Sequence, residues 1–408
     1  MKVLVINCGS SSLKYELFDT DTEQSLAKGL CDRVGVGGGR DAVIEHETPG
    51  KEPLKQATPM PDHRVAIDHA LAALISPVHG VISSLDEIAA VGHRVVHGGE
   101  KFAQSVVIDD EVEQAVEDFC QLAPLHNPPN LLGIRACREA LPTVPQVAVF
   151  DTAFHQTMPP HAYIYALPYE LYEQHRIRRY GFHGTSHRYV SLRASEYLEQ
   201  AGVPLAEQKV VTCHLGNGCS MAAVRAGKSI DTTMGMTPLE GLVMGTRCGD
   251  LDPALPLHLM EVLQMSAQEI DNLLNKRSGL LGVSGIGSDM RDNQSAALGG
   301  NDRAKLAVDI FCQRVRKYIG AYAAGLGGLN CIVFTAGIGE NDPALRAQVI
   351  EGLEFMGARV DPARNEQLQC LDGIAPIQTE DSTVHVLVIQ TDEELMIARD
   401  TAELLSGA

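Results

Sequence analysis

The chain has 408 residues, of which 45% are hydrophobic and 21% charged, and this balance predicts a globular protein with two or more full-sized domains. Its formal net charge of −19 argues against nucleic acid or an anionic membrane as the main partner. No run of about 18 uncharged apolar residues occurs, so no transmembrane helix is expected.

The ten cysteines and the N-terminus favour a cytoplasmic protein. No Cys-x-x-Cys pair occurs, and Cys8, Cys213 and Cys331 lie in apolar segments typical of strands. Such cysteines indicate reduced, buried thiols rather than a disulfide framework or a zinc site. The chain also begins as a strand, without the long apolar stretch of a secretory signal.

The first predicted element is a β-hairpin. The apolar run Val3–Ile6 predicts a buried strand, and the alternating stretch Tyr15–Phe18 predicts its partner. Between them lie an asparagine, two small residues, three serines and Lys14. Small side chains, hydroxyls and backbone NH groups at such a tip suit a phosphate group. An ordinary polar hairpin turn is the alternative.

The rest of the first half alternates strands and helices. Gly35–Arg40 is glycine-rich and predicts a flexible surface loop, and Pro124–Pro129 is expected to separate two helices. Strands are predicted at Leu26–Arg33, Ala42–Glu47, Ile88–Val96 and Val147–Phe150, and helices at Asp62–Ile75, Asp109–Cys120 and Asn130–Ala140.

The second half repeats the opening pattern. The apolar strand Val210–His214 runs into a glycine-containing tip, and Cys219–Val224 returns as a strand. A third tip is predicted at Thr335–Asn341, after another apolar run. Two copies of a strand, polar tip and return strand indicate a duplicated α/β domain with a cleft between the halves. We place the boundary near Asp151.

Two long helices complete the prediction. Residues Ala304–Leu326 form one, and Glu393–Leu405 form the last, which we expect to pack back on the first domain.

Several familiar nucleotide and hydrolase motifs are missing from the sequence. It contains no Gly-x-x-x-x-Gly-Lys-Ser/Thr loop, no Gly-x-Gly-x-x-Gly after a strand and no Gly-x-Ser-x-Gly. His183 and His187 are four residues apart, but the segment lacks the glutamate of a zinc protease. We therefore expect His187 to be a surface residue near the start of a helix rather than a metal ligand.

Five polar residues stand in apolar or glycine-rich surroundings. Arg94 ends a predicted buried strand, where it can hold a carboxylate or phosphate with two hydrogen bonds or serve in a structural ion pair. Arg247 and His183 are flanked by glycines, Asp151 follows a buried strand, and Asp289 follows a glycine-rich loop. Together they outline a site for two anions.

At these motifs the chain resembles the acetate and propionate kinase family, within the sugar-kinase, heat-shock-chaperone and actin superfamily. The matching segments run nearly end to end in family order. They are Asn7–Lys14, Gly92–Phe102, Ala123–Asn130, Val149–Pro159, Arg178–His187, His214–Gly218, Asp231–Asp250 and Phe334–Asn341.

The resemblance implies an α/β fold of two duplicated actin-like (ribonuclease H-like) domains, with mixed β-sheets flanked by helices and a cleft between them. Residues 1–151 would form one domain, joined by the C-terminal helix 389–408, and residues 152–388 the nucleotide-binding domain. The implied activity is reversible, magnesium-dependent transfer of the γ-phosphoryl group of ATP to acetate, giving acetyl phosphate and ADP. Mn²⁺ is an alternative metal, and a cytoplasmic homodimer is implied.

The resemblance also assigns roles to individual residues. It implies catalytic roles for Asp151, His183, Arg247 and Arg94. It places the acyl substrate at Arg94, Val96, Leu125, His126, Phe182 and Pro238, and the metal at Asn7 and Glu393. It places the nucleotide at Ser10, Ser12, Lys14, His214, Leu215, Gly216, Asn217, Gly218, Asp289, Met290, Arg291, Gly337, Ile338, Gly339, Glu340 and Asn341.

Elementary chemistry refines the expected roles of Asp151 and Val96, and two alternative functions remain open. A carboxylate with a pKa of roughly 4 is already ionised at neutral pH, so no general base is needed and Asp151 is expected to organise a metal, water or arginine. The valine at position 96 favours acetate over propionate, although propionate kinase activity is an alternative. A non-enzymatic nucleotide switch of the actin or chaperone type is the other. Where the family commonly has asparagine before the metal acid, this chain has Asp392.

Overall fold

The computed structural model describes residues 1–124 and 126–407. The strands are β1 (Lys2–Cys8), β2 (Ser12–Asp19), β3 (Gln24–Asp32), β4 (Val43–Glu47), β5 (Leu54–Ala57), β6 (Ala90–Val95), β7 (Val106–Val107), β8 (Gln146–Phe150), β9 (Lys209–Leu215), β10 (Cys219–Arg225), β11 (Lys228–Thr232), β12 (Cys331–Thr335), β13 (Ile374–Pro376) and β14 (His385–Ile389). The α-helices are α1 (His63–Leu74), α2 (Asp110–Asp118), α3 (Asn127–Ala140), α4 (Pro160–Tyr163), α5 (Glu170–His175), α6 (Gly184–Gln200), α7 (Leu255–Val262), α8 (Ala267–Lys276), α9 (Gly279–Ser284), α10 (Met290–Leu298), α11 (Asp302–Leu326), α12 (Ala336–Asn341), α13 (Pro343–Ile350), α14 (Pro362–Glu366) and α15 (Glu393–Ser406).

The chain divides into two compact units. The first comprises Met1–Phe154 together with Asp392–Ala408, and the second comprises His155–Thr391. In the part of the chain that is described, no helix combines the length and apolar character needed to cross a bilayer. The division of substrate roles between the two units stays a prediction.

The first unit is built on a mixed sheet with the strand order β5-β4-β3-β2-β1-β6-β8-β7. Strands β1 to β5 are joined by successive antiparallel pairings, whereas β1, β6 and β8 run parallel to one another. The parallel strands are almost wholly buried, as parallel strands covered on both faces require. Helix α15 packs against β6, where a Cβ on Gly92 would clash with Ile397 and Thr401.

The second unit repeats this plan with the order β11-β10-β9-β12-β14-β13. Strands β9, β10 and β11 are antiparallel neighbours, and β9, β12 and β14 are parallel. The opening strands β1 and β9 even share one burial pattern along their seven residues. The two mixed sheets flanked by helices confirm the predicted duplicated α/β fold.

Two sequence-based predictions of local structure need correction. Helix α3 begins at Asn127, inside the segment Pro124–Pro129, with prolines in its first turn, where no backbone NH is required. The segment Thr335–Asn341 is not a hairpin tip, because β12 continues to Thr335 and turns directly into the short helix α12.

The loop Gly35–Arg40 lies at the surface, as predicted. It contains a 3₁₀ turn, and Gly39 packs against the backbone of Met60.

The ten cysteines are free thiols, and seven of them are buried. Cys8, Cys213 and Cys331 are among the buried ones, in β1, β9 and β12. Burial raises the pKa of Cys8 to about 12, so this thiol stays protonated and packs as a small apolar side chain.

Candidate active site

The first hairpin tip is held in place by groups from outside the hairpin. Strands β1 and β2 pair Asn7 with Lys14, and the turn begins at Gly9, whose NH donates to the Ser12 carbonyl at 2.8 Å. His63 Nε2 donates to the Gly9 carbonyl at 2.7 Å. Ser10 and Lys14 are exposed, and Asn7 and Ser12 are half-buried. The backbone of the tip is therefore held by hydrogen bonds, and the side chains of Ser10 and Lys14 are exposed to solvent.

An ion pair between Arg94 and Asp151 lies at the carboxyl ends of two parallel strands. Arg94 is in β6 and Asp151 follows β8, so the parallel pairing brings both side chains to one edge of the sheet. Arg94 Nη2 donates to Asp151 Oδ2, and Nη1 lies 3.5 Å from Asn7 Oδ1. Within the described ranges, Arg94 Nε is buried without a hydrogen-bond partner. The guanidinium is thus oriented by one carboxylate and retains capacity for a second.

The charges around Arg94 determine its protonation. Burial alone would lower the pKa of Arg94, but the carboxylates of Asp151 and Glu393 outweigh burial and raise it. Glu393 is the first residue of α15, and burial raises the pKa of this carboxyl to about 7, against the opposing charge of Arg94. Asp392 caps the same helix, because its side chain accepts a hydrogen bond from Leu395 N at 2.8 Å. The departure from the family pattern at position 392 therefore preserves a good helix cap.

The predicted acyl-pocket residues are divided between the two units. Val96 is buried in the first unit, and its NH donates to Asn130 Oδ1 at 3.0 Å. His126 is half-buried immediately before α3, and Leu125 lies outside the described residues. Phe182 is buried and Pro238 half-buried, both in the second unit.

The second hairpin tip lies beside an arginine and a histidine side chain. Leu215 pairs with Cys219, and Gly216 and Asn217 form the turn with Gly218. The Asn217 carbonyl accepts a hydrogen bond from the NH of Gly245 at 3.0 Å, which ties the tip to the glycine-rich segment before Arg247. A Cβ placed on Gly218 would lie 3.6 Å from Arg247 Nη1 and from two atoms of the His183 ring. The tip therefore brings His183 and Arg247 together.

Arg247 has no carboxylate partner among residues 1–124 and 126–407. Its Nη1 donates to the Pro238 carbonyl at 3.0 Å, and burial lowers the pKa of the guanidinium. Arg247 is half-buried, and a cation that is partly removed from water without a neighbouring anion is favoured when an anion binds beside it. Arg247 is therefore suited to hold an anionic ligand beside Gly218.

His183 is oriented by a buried hydrogen-bonded chain. It precedes α6 with a left-handed backbone (φ 54°), a strained conformation that in non-glycine residues is concentrated at functional sites. Its Nδ1 lies 2.8 Å from Ser220 Oγ, which lies 2.7 Å from His187 Nε2. The His183 ring also stacks on His214 at 4.2 Å between centroids.

The prediction that His187 is a surface residue is wrong. His187 is fully buried within α6, and its Nδ1 lies 2.7 Å from Thr212 Oγ1. Burial holds the pKa of this imidazole well below its ordinary value, so it is neutral. The four-residue spacing from His183 is the only signal in the sequence, and both rings lie within hydrogen-bond distance of Ser220 Oγ.

The predicted nucleotide segments occupy the carboxyl end of β12 and the start of α10. Glu340 Oε1 accepts hydrogen bonds from Ala336 N at 2.8 Å and Thr391 N at 3.1 Å, which closes the turn that contains Gly337 and Ile338. Asn341 Nδ2 donates to the Gly337 carbonyl at 2.9 Å.

The start of α10 holds the other predicted nucleotide segment. Asp289 caps the helix and pairs with the exposed Arg291, which lowers the pKa of this carboxyl to about 2. Met290, between them, is buried.

One buried residue that supports these segments could not be predicted from the sequence. Arg346, in α13, is 1% exposed and donates to the carbonyls of Gly339 and Glu340 at 2.9 Å each. Its Nε donates to Asn365 Oδ1 at 2.8 Å. An arginine between apolar residues of a helix gives no sequence signal that separates this role from a surface position.

Gly218 offers a direct test of the space beside Arg247. Gly218→Ala is expected to change the free energy of unfolding by less than about 1 kcal/mol, because contacts of 3.6 Å are ordinary van der Waals contacts. If a phosphoryl group binds beside Arg247, as the family resemblance implies, the added methyl group would compete with it, and kcat/KM for the nucleotide should fall by about 10- to 100-fold. Steady-state kinetics and thermal melting measure the two effects.

Gly320→Ala is the matched control, because a Cβ at that position in α11 would meet nothing within 4 Å. It should retain wild-type kinetics. Wild-type kinetics in folded Gly218→Ala would contradict a phosphoryl site at this tip.

The repeated sheet with its polar hairpin tips, together with Arg94 at a strand end and Arg247 in the loop beside the second tip, defines a nucleotide-using enzyme of the actin-like ATPase fold. The profile of the Acetokinase family matches residues 2–399. The chain therefore belongs to the acetokinase family, a family of kinases.

Curated proteins and solved structures agree with this membership. An acetate kinase of Clostridium botulinum (strain Okra / Type B1) is 58% identical over 404 residues, covering 99% of each chain. The crystal structure of Porphyromonas gingivalis acetate kinase is 48% identical with a TM-score of 0.93, covering 99% of each chain. That of a propionate kinase from Francisella tularensis subsp. tularensis SCHU S4 is 42% identical with a TM-score of 0.90, again covering 99% of each chain.

Proposed function

We propose that the protein transfers the γ-phosphoryl group of ATP reversibly to acetate, giving acetyl phosphate and ADP. The observation that carries this proposal is the pair of half-buried arginines, Arg94 and Arg247, with different surroundings. Arg94 is oriented by Asp151 and keeps Nε available, which suits a planar carboxylate, whereas Arg247 lacks a carboxylate partner within the described ranges and lies beside a glycine tip, which suits a phosphoryl group. A hydroxamate assay for acyl phosphate tests the proposal.

Charge stabilisation accounts for most of the proposed catalysis. Acetate is already anionic at neutral pH, so the obstacle is the repulsion between this anion and the γ-phosphoryl group. Arg94 would orient the carboxylate, and Arg247 with His183 would stabilise the charge of the transferring group. Asp151 would keep Arg94 in position rather than remove a proton. Direct in-line transfer predicts inversion at a chiral γ-phosphate, and retention would contradict it.

The residues near Arg94 fit a divalent cation. Asn7 supplies an amide oxygen within 3.5 Å of Arg94, and Glu393 supplies a carboxylate whose pKa responds to the charges of Arg94 and Asp151. Within the described residues no cluster of three or more His, Cys, Asp or Glu forms a closed metal site, and Mg²⁺ commonly takes one or two carboxylates plus substrate phosphates. We propose that Asn7 and Glu393 hold Mg²⁺, or Mn²⁺ in its place, which would neutralise phosphate charge.

Acetate is preferred over propionate in this proposal because of the valine at position 96. Val96→Ala would remove two methyl groups from the predicted acyl pocket. We expect the ratio of kcat/KM for propionate to that for acetate to rise by about tenfold, since one methylene is worth about 1–3 kcal/mol in such a pocket. Initial rates with both acids measure the ratio.

Val91→Ala is the matched control, because Val91 is fully buried in β6, the strand that Val96 directly follows, and is not predicted to line the pocket. It should lower stability without changing the ratio. An unchanged ratio in Val96→Ala would remove this residue from the specificity pocket.

A non-enzymatic nucleotide switch is the alternative from a different class. Such a protein would not need the oriented Arg94 or the pairing of His183 with Arg247. If no short carboxylic acid gives hydroxamate-reactive product, the switch becomes the better explanation.

We also propose that the protein is a homodimer in the cytoplasm. The ten free thiols support a reducing compartment. The segment around α7 exposes several large apolar side chains, which supports a protein interface there. These side chains are Leu255, Leu257, Met260, Val262 and Leu263.

The dimer proposal predicts a change in mass on substitution of that segment. The double variant Leu257→Lys/Leu263→Lys should move the protein from dimer to monomer in size-exclusion chromatography with light scattering. Phe355→Lys, at an isolated residue that is 83% exposed, is the control and should remain dimeric. A monomeric wild-type protein or a dimeric double variant would contradict the proposal.

A further inference from the structure

The segment that contains Pro238 and Arg247 is an irregular loop whose first half is mostly buried. Residues 233–254 run between β11 and α7 without helix or strand, and most residues from 233 to 245 are buried. A long buried loop cannot satisfy its backbone groups through regular pairing and must obtain hydrogen-bond partners elsewhere. The groups that supply those partners therefore determine where Pro238 and Arg247 lie.

Arg179 supplies partners for the start of this loop. Its Nη1 donates to the carbonyls of Thr232, Thr233 and Met234 at 2.8, 3.1 and 3.2 Å. Its Nη2 donates to Glu240 Oε1 at 2.5 Å. One guanidinium thus fastens the first residues of the loop to a residue in its middle.

Tyr165 holds the other oxygen of the same carboxylate. Tyr165 Oη donates to Glu240 Oε2 at 2.6 Å and accepts a hydrogen bond from Met236 N at 3.0 Å. The arrangement is tightly packed, since a Cβ on Gly235 would lie 2.0 Å from Glu240 Oε2 and 2.2 Å from Tyr165 Oη. Both carboxylate oxygens of Glu240 are therefore fixed, and the loop has little freedom to shift around them.

The far end of the loop is fastened separately. Asp250 Oδ1 accepts a hydrogen bond from Gly241 N at 2.8 Å, and Asp250 Oδ2 accepts one from Tyr318 Oη at 2.7 Å. Arg314 Nη1 donates to the Gly241 carbonyl at 2.9 Å. Glu240 is thus held by Arg179 and Tyr165, and the next residue, Gly241, is held by Asp250 and Arg314. Both sets of contacts act on the chain two or three residues after Pro238.

We infer that Arg179, Glu240 and Tyr165 are positioning residues that set the acyl-chain selectivity of the enzyme through Pro238. This inference rests on the proposed function, because it takes Pro238 as a wall of the acyl pocket. The Pro238 carbonyl also accepts a hydrogen bond from Arg247 Nη1 at 3.0 Å, so a displaced Pro238 disturbs Arg247 as well. When the contacts among Arg179, Glu240 and Tyr165 are lost, Pro238 can move away from the acyl pocket. Longer acids then compete better with acetate.

Two substitutions test the inference, one that removes a charge and one that removes only a hydroxyl group. Glu240→Gln removes the charge that pairs with Arg179, and Tyr165→Phe removes only the hydroxyl that contacts Glu240 and Met236. Each should lower the ratio of kcat/KM for acetate to that for propionate by at least about fivefold, while KM for ATP changes less than about twofold. Glu196→Gln is the control, because its ion pair with Arg193 lies on α6 and is 53% exposed at the glutamate.

Acid selectivity separates positioning from general support of the fold. An unchanged ratio of acetate to propionate in a folded variant overturns the inference, whether or not kcat falls equally for all acids. If Glu240→Gln does not fold, as judged by circular dichroism, Tyr165→Phe decides alone. A wild-type enzyme that forms no acyl phosphate would instead contradict the proposed function, so the two failures are distinguishable.

Discussion

Arg94→Ala is expected to lower kcat/KM for acetate by about 10²- to 10³-fold. The substitution removes the proposed partner of the acetate carboxylate, and truncating one partner of a desolvated charge pair costs about 2–5 kcal/mol. Asp151 already orients one side of the guanidinium, and the remaining donors are the ones that a carboxylate would use. The nucleotide should bind elsewhere, so KM for ATP should change by less than about threefold. Initial rates with each substrate varied in turn measure both constants.

The main complication of this variant is folding. Removing Arg94 leaves Asp151 as a buried carboxylate without its ion-pair partner, and such a loss destabilises proteins by about 3–5 kcal/mol. Arg94→Lys keeps the charge but loses the planar fork, so it should fold better and still bind acetate poorly.

Arg64→Ala, which breaks an exposed ion pair with Glu139 in the same unit, should behave as wild type. Equal losses for acetate and ATP in folded Arg94→Ala would contradict the assignment.

Arg247→Ala is expected to lower kcat by about 10³-fold or more, as removal of an arginine that stabilises a transferring phosphoryl group does in other phosphotransferases. Arg247 is half-buried beside Gly218 and His183 without a carboxylate partner in the described part of the chain, so its charge is available for this purpose. Because the interaction would form mainly in the transition state, kcat and kcat/KM should fall together.

Arg359→Ala is the matched control for Arg247→Ala. It removes an exposed arginine that pairs with Asp381 in the same unit and should leave kcat unchanged. A higher KM for ATP with an unchanged kcat in Arg247→Ala would show that this arginine only binds the ground state.

The duplicated sheet could be predicted from the sequence because its signals are local. The apolar runs of β1 and β9 each end in a polar, glycine-containing tip, and a return strand follows each. The formation of strands and turns depends mainly on neighbouring residues. The apolar strands and the polar turns that follow them can therefore be predicted without knowledge of the tertiary structure. The helix predicted over Asp62–Ile75 agrees with α1 for the same reason, because its apolar spacing is also a local signal.

The remaining features depend on contacts between distant residues. Ser220 lies far along the chain from His187 and His183, so the hydrogen-bonded chain that orients His183 has no sequence signature. Arg179 reaches Thr232 and Glu240 across a similar separation. Polar residues of this kind look like surface residues in sequence, because only the fold shows that they are buried and satisfied.

The proline-rich start of α3 was predicted wrongly for a different reason. Proline is unfavourable inside a helix but acceptable in its first turn, and the sequence alone did not show which position Pro128 and Pro129 would occupy. The turn at Ala336 was mistaken for a hairpin tip because glycine-rich turns lead into helices as well as into strands.

The most direct test of the central claim is a profile of kcat/KM for acetate, propionate and butyrate with ATP, together with the reverse reaction of each acyl phosphate with ADP. The proposed function predicts formation of acyl phosphate in the forward direction, formation of ATP in the reverse direction, and the highest value for the acetyl substrate in both. A higher value for propionate, or no acyl phosphate from any of the three acids, would contradict it.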